Sequence, residues 1–250
     1  MQYPNILSCA LLLCLCTGCL YAPPQDYVTR TVVTEKQQKT LEEIMHLLPA
    51  DARNPESAAE AHWIADTAYR AAAAIARYND PRLKGWFNNI MVNSSHHWQE
   101  RGLCWHYQHD LYRELRRRPL KYFALGCCVM DRSKGAEHHC IYVAAQGGGW
   151  PNIVILDAWL NNGRLKIVDI ETARKRHWED EPKTTAMLNR YYPEGHNRPF
   201  EHWVMIRGGE GMRDYIPSDS PGAAATWQGQ YMQRRIQEGQ QRRGGKAFSY

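Results

Sequence analysis

Apolar residues recur at three- and four-residue spacing through Ala61, Ile64, Ala65, Ala68, Ala72 and Ile75, predicting an amphipathic helix that opens at a Ser57 N-cap and ends near Asn79-Asp80-Pro81. A short helix is expected before it, around Thr40 to Leu48, and another from Lys84 to about Met91. From Leu103 the same period returns: Cys104, Tyr107, Leu111 and Leu115 mark one face, while His106, Asp110, Arg113 and Arg117 mark the other. Pro119 stops that helix. The pattern then changes to strand signals at Leu120 to Met130, His138 to Ala145, Asn152 to Leu156 and Gly163 to Asp169, with Gly147-Gly148-Gly149 and Asn161-Asn162-Gly163 as turns. A helix from Glu171 to Trp178, a proline-punctuated stretch through Pro199 and a short strand at His202 to Ile206 complete the series. Helices followed by neighbouring short strands predict an α+β fold with a helix packed on an antiparallel sheet.

The two ends have a different character. Ile6 to Leu15 is an apolar run of about ten residues, too short to span a bilayer and of signal-peptide length. It closes on Leu15-Cys16-Thr17-Gly18-Cys19, which resembles the bacterial lipoprotein box and makes Cys19 the expected lipidation site. Cys16 stands where that box usually has Leu, and no Lys or Arg precedes the run. The organisation expected is a signal peptide over residues 1–18, a tether over 19–54, one domain over 55–215 and a basic, Gln/Gly-rich, disordered tail over 216–250. A chain of 250 residues with 44% apolar residues can bury one good core. The net charge of +5 is gathered partly in the tail, which lacks the interleaved aromatics of a nucleic-acid stacking surface, so no nucleic-acid partner is expected. Export favours disulfides over free thiols. Cys9, Cys14, Cys16 and Cys19 fall in the leader, however, so the domain keeps Cys104, Cys127, Cys128 and Cys140. Adjacent Cys127 and Cys128 would bridge each other only with strain, and any bridge should join one of them to Cys140.

Three short segments carry candidate chemistry: Gly102-Leu103-Cys104-Trp105 at a helix start, Glu137-His138-His139-Cys140 at a strand start, and Leu156-Asp157-Ala158-Trp159 near the end of the next strand. A cysteine nucleophile works as thiolate, which a helix N-terminus favours. A histidine takes its proton and later gives it to the leaving group, while a carboxylate orients the ring. Cys104, His138 or His139, and Asp157 meet these needs, and the Cys104 N–H would be one oxyanion donor.

The order cysteine on a helix, histidine on a strand and aspartate on the following strand resembles the transglutaminase-like branch of the papain-like cysteine enzymes, with the likeness running from Arg101 to Asp169. The resemblance implies a nucleophile helix on an antiparallel sheet with N-terminal helices, and a Cys104–His138–Asp157 triad that needs no cofactor or metal. It also suggests Gln99 as an oxyanion donor. In the family pattern the histidine is followed by a small residue or Trp at the second position and apolar residues at the third and fifth; from His138 these are Cys140, Ile141 and Val143. Neighbours on a strand point to opposite faces, and starting from His139 would give a face with Ile141 and Val143, so His139 stays as the alternative base.

The activity this implies is hydrolysis of peptide, isopeptide or amide bonds in the cell envelope, acting on a peptide or protein substrate such as a cell-wall peptide, with the membrane reached through the N-terminal lipid. Two other classes stay open. One is a binding or scaffolding lipoprotein on the same fold. The other is a metal site built from His96, His97, Cys104, His106 and His109, although Cys104 and His106 face nearly opposite ways on a helix. The Gly147 to Gly149 run lies between strands and is a hairpin loop, not a phosphate loop.

Overall fold

A computed structural model describes residues 35–79, 87–89, 102–132 and 137–197, together with the backbone of 203–207 and 213–217. The signal peptide, Cys19, most of the 84–91 helix, His96, His97, Gln99 and nearly all of the basic tail lie outside the described residues.

Helix α1 (Glu35–His46) leads through a short 3-10 turn (Ala50–Ala52) to helix α2 (Pro55–Asn79), and helix α3 spans Cys104–Leu115. Strands β1 (Phe123–Met130), β2 (His138–Ala145), β3 (Ile153–Asp157) and β4 (Lys166–Val168) follow, then helix α4 (Ile170–Lys175), β5 (Trp178–Asp180) and helix α5 (Pro182–Tyr191). Strands β6 (Trp203–Arg207) and β7 (Arg213–Pro217) pair separately as a two-stranded sheet. The main sheet has the order β4-β3-β2-β1-β5, every neighbour antiparallel. The fold is therefore α+β, as the periodicity predicts. No helix among the described residues is long and apolar enough to cross a membrane.

Alternation divides the sheet. Cys127, Ile141, Val143, Val154 and Leu156 face the helices and share one core with Ile64, Ala68, Ala72, Tyr107 and Leu111. Cys128, Cys140, Tyr142, Ile155 and Trp178 form a smaller cluster on the other face. Ile44, Leu47 and Leu48 belong to the helix-side core, so residues 35–52, expected within a tether, are part of the folded domain.

Three local expectations are corrected. Asn54, not Ser57, caps α2: its Oδ1 accepts the N–H groups of Glu56 and Ser57 at 3.0 Å each, and Oγ of Ser57, inside the helix, accepts the Asn54 N–H in return at 2.9 Å. The end of the expected 171–178 helix is extended, because Trp178 pairs with Met130 in β5. The proline-punctuated stretch contains α5, with Pro182 in its first turn, where a missing N–H is harmless.

The polar side of α3 is also buried rather than solvated. Arg113 is 1% exposed and pairs with Glu114, which also accepts Arg117 Nε at 2.6 Å. This arrangement lets α3 pack against both α2 and β2.

Helix α2 holds the entry to β1 through Glu60, which is 4% exposed. Its carboxylate accepts the main-chain N–H groups of Lys121, Tyr122 and Phe123 at 2.8, 2.9 and 3.1 Å. Glu60→Ala leaves all three donors without that acceptor and should lower stability by about 2–3 kcal/mol. Urea unfolding would read the loss, and a change below a few tenths of a kcal/mol would mean that solvent replaces the carboxylate without cost.

Candidate active site

Cys104 is the first residue of α3, where backbone N–H groups have no intrahelical acceptor, and it is 5% exposed. The preceding turn is clamped from several sides. Gly102 adopts φ 123°, and its carbonyl accepts Asn88 Nδ2 at 2.6 Å and the indole N–H of Trp159 at 2.7 Å. The N–H groups of Gly102 and Leu103 donate to His106 Nδ1 at 3.1 and 3.0 Å. His106 Nδ1 is thus an acceptor only, so this ring is a cap on the helix that carries Cys104.

His138 opens β2 and Asp157 closes β3, and alternation puts both on the same sheet face. His138 Nε2 lies 3.0 Å from Asp157 Oδ2, both side chains being buried. Asp157 Oδ1 accepts the N–H groups of Trp159 at 3.0 Å and Leu160 at 3.1 Å, which fixes the carboxylate and supports its charge. The His138 ring packs against Trp159, centroids 4.8 Å apart, and edge-on against Trp178 at 5.6 Å. With Nε2 committed to Asp157, Nδ1 is the ring atom left for the Cys104 thiol.

Electrostatics separates Cys104 from the other thiols. Burial opposes its ionisation, but a hydrogen bond with His138 and the charges of His139 and His138 outweigh it and hold the thiol below its ordinary pKa. Cys127, Cys128 and Cys140 are pushed well above the ordinary value, mainly by burial. Burial also works against charge on His138, yet the Asp157 carboxylate and the Cys104 thiol raise its pKa to about 9. Asp157 is itself held low: burial is opposed by the His138 charge and by the two backbone donors.

His139 is placed differently. Its Nδ1 lies 3.1 Å from Glu181 Oε2 and its Nε2 3.0 Å from Glu137 Oε1, so neither ring nitrogen is left to take the Cys104 proton. Burial lowers and the two carboxylates raise its pKa, with a result of about 10.

No disulfide links the domain cysteines: Cys104, Cys127, Cys128 and Cys140 are all unbridged. Cys127 faces the helix-side core, while Cys128 and Cys140 are register partners on the other face. Their sulfurs turn to polar neighbours instead of each other: Cys140 Sγ is 3.3 Å from His138 Nε2, and Cys128 Sγ is 3.7 Å from the Cys140 carbonyl.

The histidines of α3 do not form a metal-binding group among the described residues. The set that comes together is His138, Cys140 and Asp157, whose donor atoms lie within 4.8 Å of one another. The roles of Trp159 and Cys140 beside His138, of His106 as a cap, and of Glu181 with Gln108 are not visible in the sequence. They depend on contacts between distant segments; only the Trp159 position in its quoted motif hinted at one of them.

The α+β fold, a thiol at a helix start and an imidazole–carboxylate pair across neighbouring strands define the class of site. Compared with known proteins, the chain matches no family, no curated protein and no solved structure.

Proposed function

We propose that this protein is a cysteine-dependent acyl-transfer enzyme of transglutaminase-like, papain-like architecture that hydrolyses peptide, isopeptide or amide bonds. One observation carries the reading: Cys104, among the described thiols the one held below its ordinary pKa, opens a helix beside an imidazole whose far nitrogen is fixed by a buried carboxylate. Cys104 attacks the carbonyl carbon as thiolate, and negative charge develops on the carbonyl oxygen near the helix N-terminus, where the Cys104 N–H is a donor. His138, protonated at Nδ1, passes that proton to the leaving amine as the C–N bond breaks and a thioester forms. Water then attacks the thioester while His138 accepts its proton, and the acid leaves as the thiolate is restored. Asp157 keeps the ring oriented and stabilises its cation. The sequence adds the setting: export, a lipid on Cys19 facing the periplasm, a peptide or protein substrate such as a cell-wall peptide, and Gln99 as a second oxyanion donor.

A second reading has its own observation. Imidazole, thiol and carboxylate at His138, Cys140 and Asp157 are a donor set that suits zinc. In that case the residues would bind metal through atoms that otherwise bond to one another.

One experiment separates the readings: iodoacetamide labelling of the full chain, followed at the Cys104 peptide by mass spectrometry from about pH 5 to 9, with zinc measured in the same preparation. The enzyme reading expects labelling to persist below about pH 7, against about 8.5 for an ordinary thiol, with no bound zinc. One equivalent of zinc that disappears in Cys140→Ser supports the metal reading. A Cys104 that is inert until unfolding, or that titrates like an ordinary thiol, leaves a binding or scaffolding protein.

A further inference from the structure

Resting on the triad reading, we propose that Glu181 is a positioning residue of the Cys104 site, and that with Glu137 it holds His139 as an imidazolium beside the thiol.

A carboxylate accepts hydrogen bonds and donates none, and a neutral imidazole has one N–H. His139 has a carboxylate oxygen at each ring nitrogen, 3.1 Å to Glu181 and 3.0 Å to Glu137, so a neutral ring would set a lone pair against an anion at one end. Only the doubly protonated ring satisfies both contacts. The ring is 7% exposed, so water cannot substitute for either partner at little cost.

Glu181 is built into place. It is 5% exposed and immediately precedes Pro182 at the start of α5, where the helix dipole favours a negative side chain. Its own N–H donates to the Cys127 carbonyl at 2.8 Å, which ties it to β1. Gln108 Nε2 donates to Glu181 Oε2 at 3.0 Å and to the Cys140 carbonyl at 2.7 Å. Gln108 lies one turn after Cys104 on α3, so the nucleophile helix, β2 and the start of α5 share one network. Arg132 stands 3.8 Å from the other Glu181 oxygen, and Thr184 Oγ1 is 3.5 Å from it.

Among the described residues, the charged and titratable groups named around His139 are Glu137 before β2, Glu181 before α5, Arg132 after β1, and Cys104 on α3, with His138 as its chain neighbour. Against the thiol, the His139 cation and the His139 main-chain N–H both favour the thiolate. His138 shuttles a proton and is not cationic throughout the cycle, whereas a clamped His139 keeps its charge while Cys104 is a thiolate.

The test uses the full chain in two ways. In wild-type protein labelled with ¹⁵N-histidine, His139 should show two protonated ring nitrogens at about pH 8, above the ordinary histidine pKa of about 6.5. In Glu181→Gln that signature should be lost, and Cys104 alkylation at about pH 6 should slow about tenfold, the effect of a one-unit rise in thiol pKa. Glu181→Asp should recover part of the rate. Glu137→Gln, at the less buried end of the clamp, should act in the same direction and serves if Glu181→Gln does not fold. A neutral His139 in wild type overturns the proposal, as does a folded Glu181→Gln with the wild-type labelling profile. If His139 is doubly protonated but wild-type Cys104 titrates like an ordinary thiol, the triad reading fails and the proposed role of the clamp falls with it.

Discussion

Alanine in place of His138 should slow iodoacetamide labelling of Cys104 at about pH 6 by about a hundredfold. The thiol is buried, and burial alone would drive its pKa up; what reverses the direction is first the hydrogen bond to His138, then the charges of His139 and His138. Without the ring, the strongest opposing contact is gone and the thiol moves toward the behaviour of Cys127, Cys128 and Cys140. Below the labelling midpoint each unit of rise removes a factor of ten in thiolate, so two units give the stated effect. Asp157→Asn should act in the same direction with a smaller effect, since the imidazole remains but its cation loses the carboxylate at 3.0 Å. Both variants should be confirmed as folded by thermal unfolding before labelling. A His138→Ala protein that labels like wild type would remove His138 from the chemistry.

The same pair makes stability depend on pH, and the sign follows from the shifts. The His138 pKa is raised to about 9, so the contribution of its proton is fully present below the unfolded value of about 6.5 and is lost as pH climbs through about 9. Asp157 is lowered, so its share is present above the ordinary carboxylate range and is lost as pH falls through its folded value. These two statements describe one ion pair and count once.

Gly163→Ala should cost about 3 kcal/mol of folding stability, far more than a typical surface change. Gly163 closes the β3–β4 turn with φ 83°, a conformation that side chains rarely adopt. A Cβ there would stand 2.4 Å from the Ala76 Cβ and 2.7 Å from the Ala72 carbonyl oxygen. The latter belongs to the backbone of α2, so no side-chain rotation relieves the clash. Gly147 provides the control: its φ is 75°, but a Cβ there meets nothing within 4 Å, so Gly147→Ala should cost only about 1 kcal/mol from the backbone alone. Urea midpoints of the two variants give the comparison. Equal losses would show that the approach of the turn to α2 contributes nothing.

Much of this architecture was legible because its elements have strong local signatures. The β-branched run Ile153-Val154-Ile155 and the stretch from His138 to Ala145 mark strands, and nearly every residue of both is buried. The α2 helix announces itself by alanine and isoleucine spacing. What failed to show was fixed by tertiary contact. Strand β5 is three residues long and exists through pairing with Cys128, Val129 and Met130. The polar residues of α3 look like a solvated face, yet Arg113 is neutralised by Glu114 and buried. At the candidate site, order and spacing single out Cys104, the two histidines and Asp157, but not the ring partners that set His138 against Asp157 and His139 between Glu181 and Glu137. Glu181 had no local signal, since nothing in Asp180-Glu181-Pro182 says that the carboxylate reaches a histidine 42 positions earlier.

Trp159 links two of the short motifs directly and touches the third: its indole N–H holds the Gly102 carbonyl, its main-chain N–H holds Asp157, and its ring lies on His138. The spacing between the Cys104 helix start and His138 is therefore gauged by one rigid side chain rather than by the loops on either side. Across relatives of this chain, positions 102 and 159 should drift as a pair, because a different residue at either one resets the spacing that both must share.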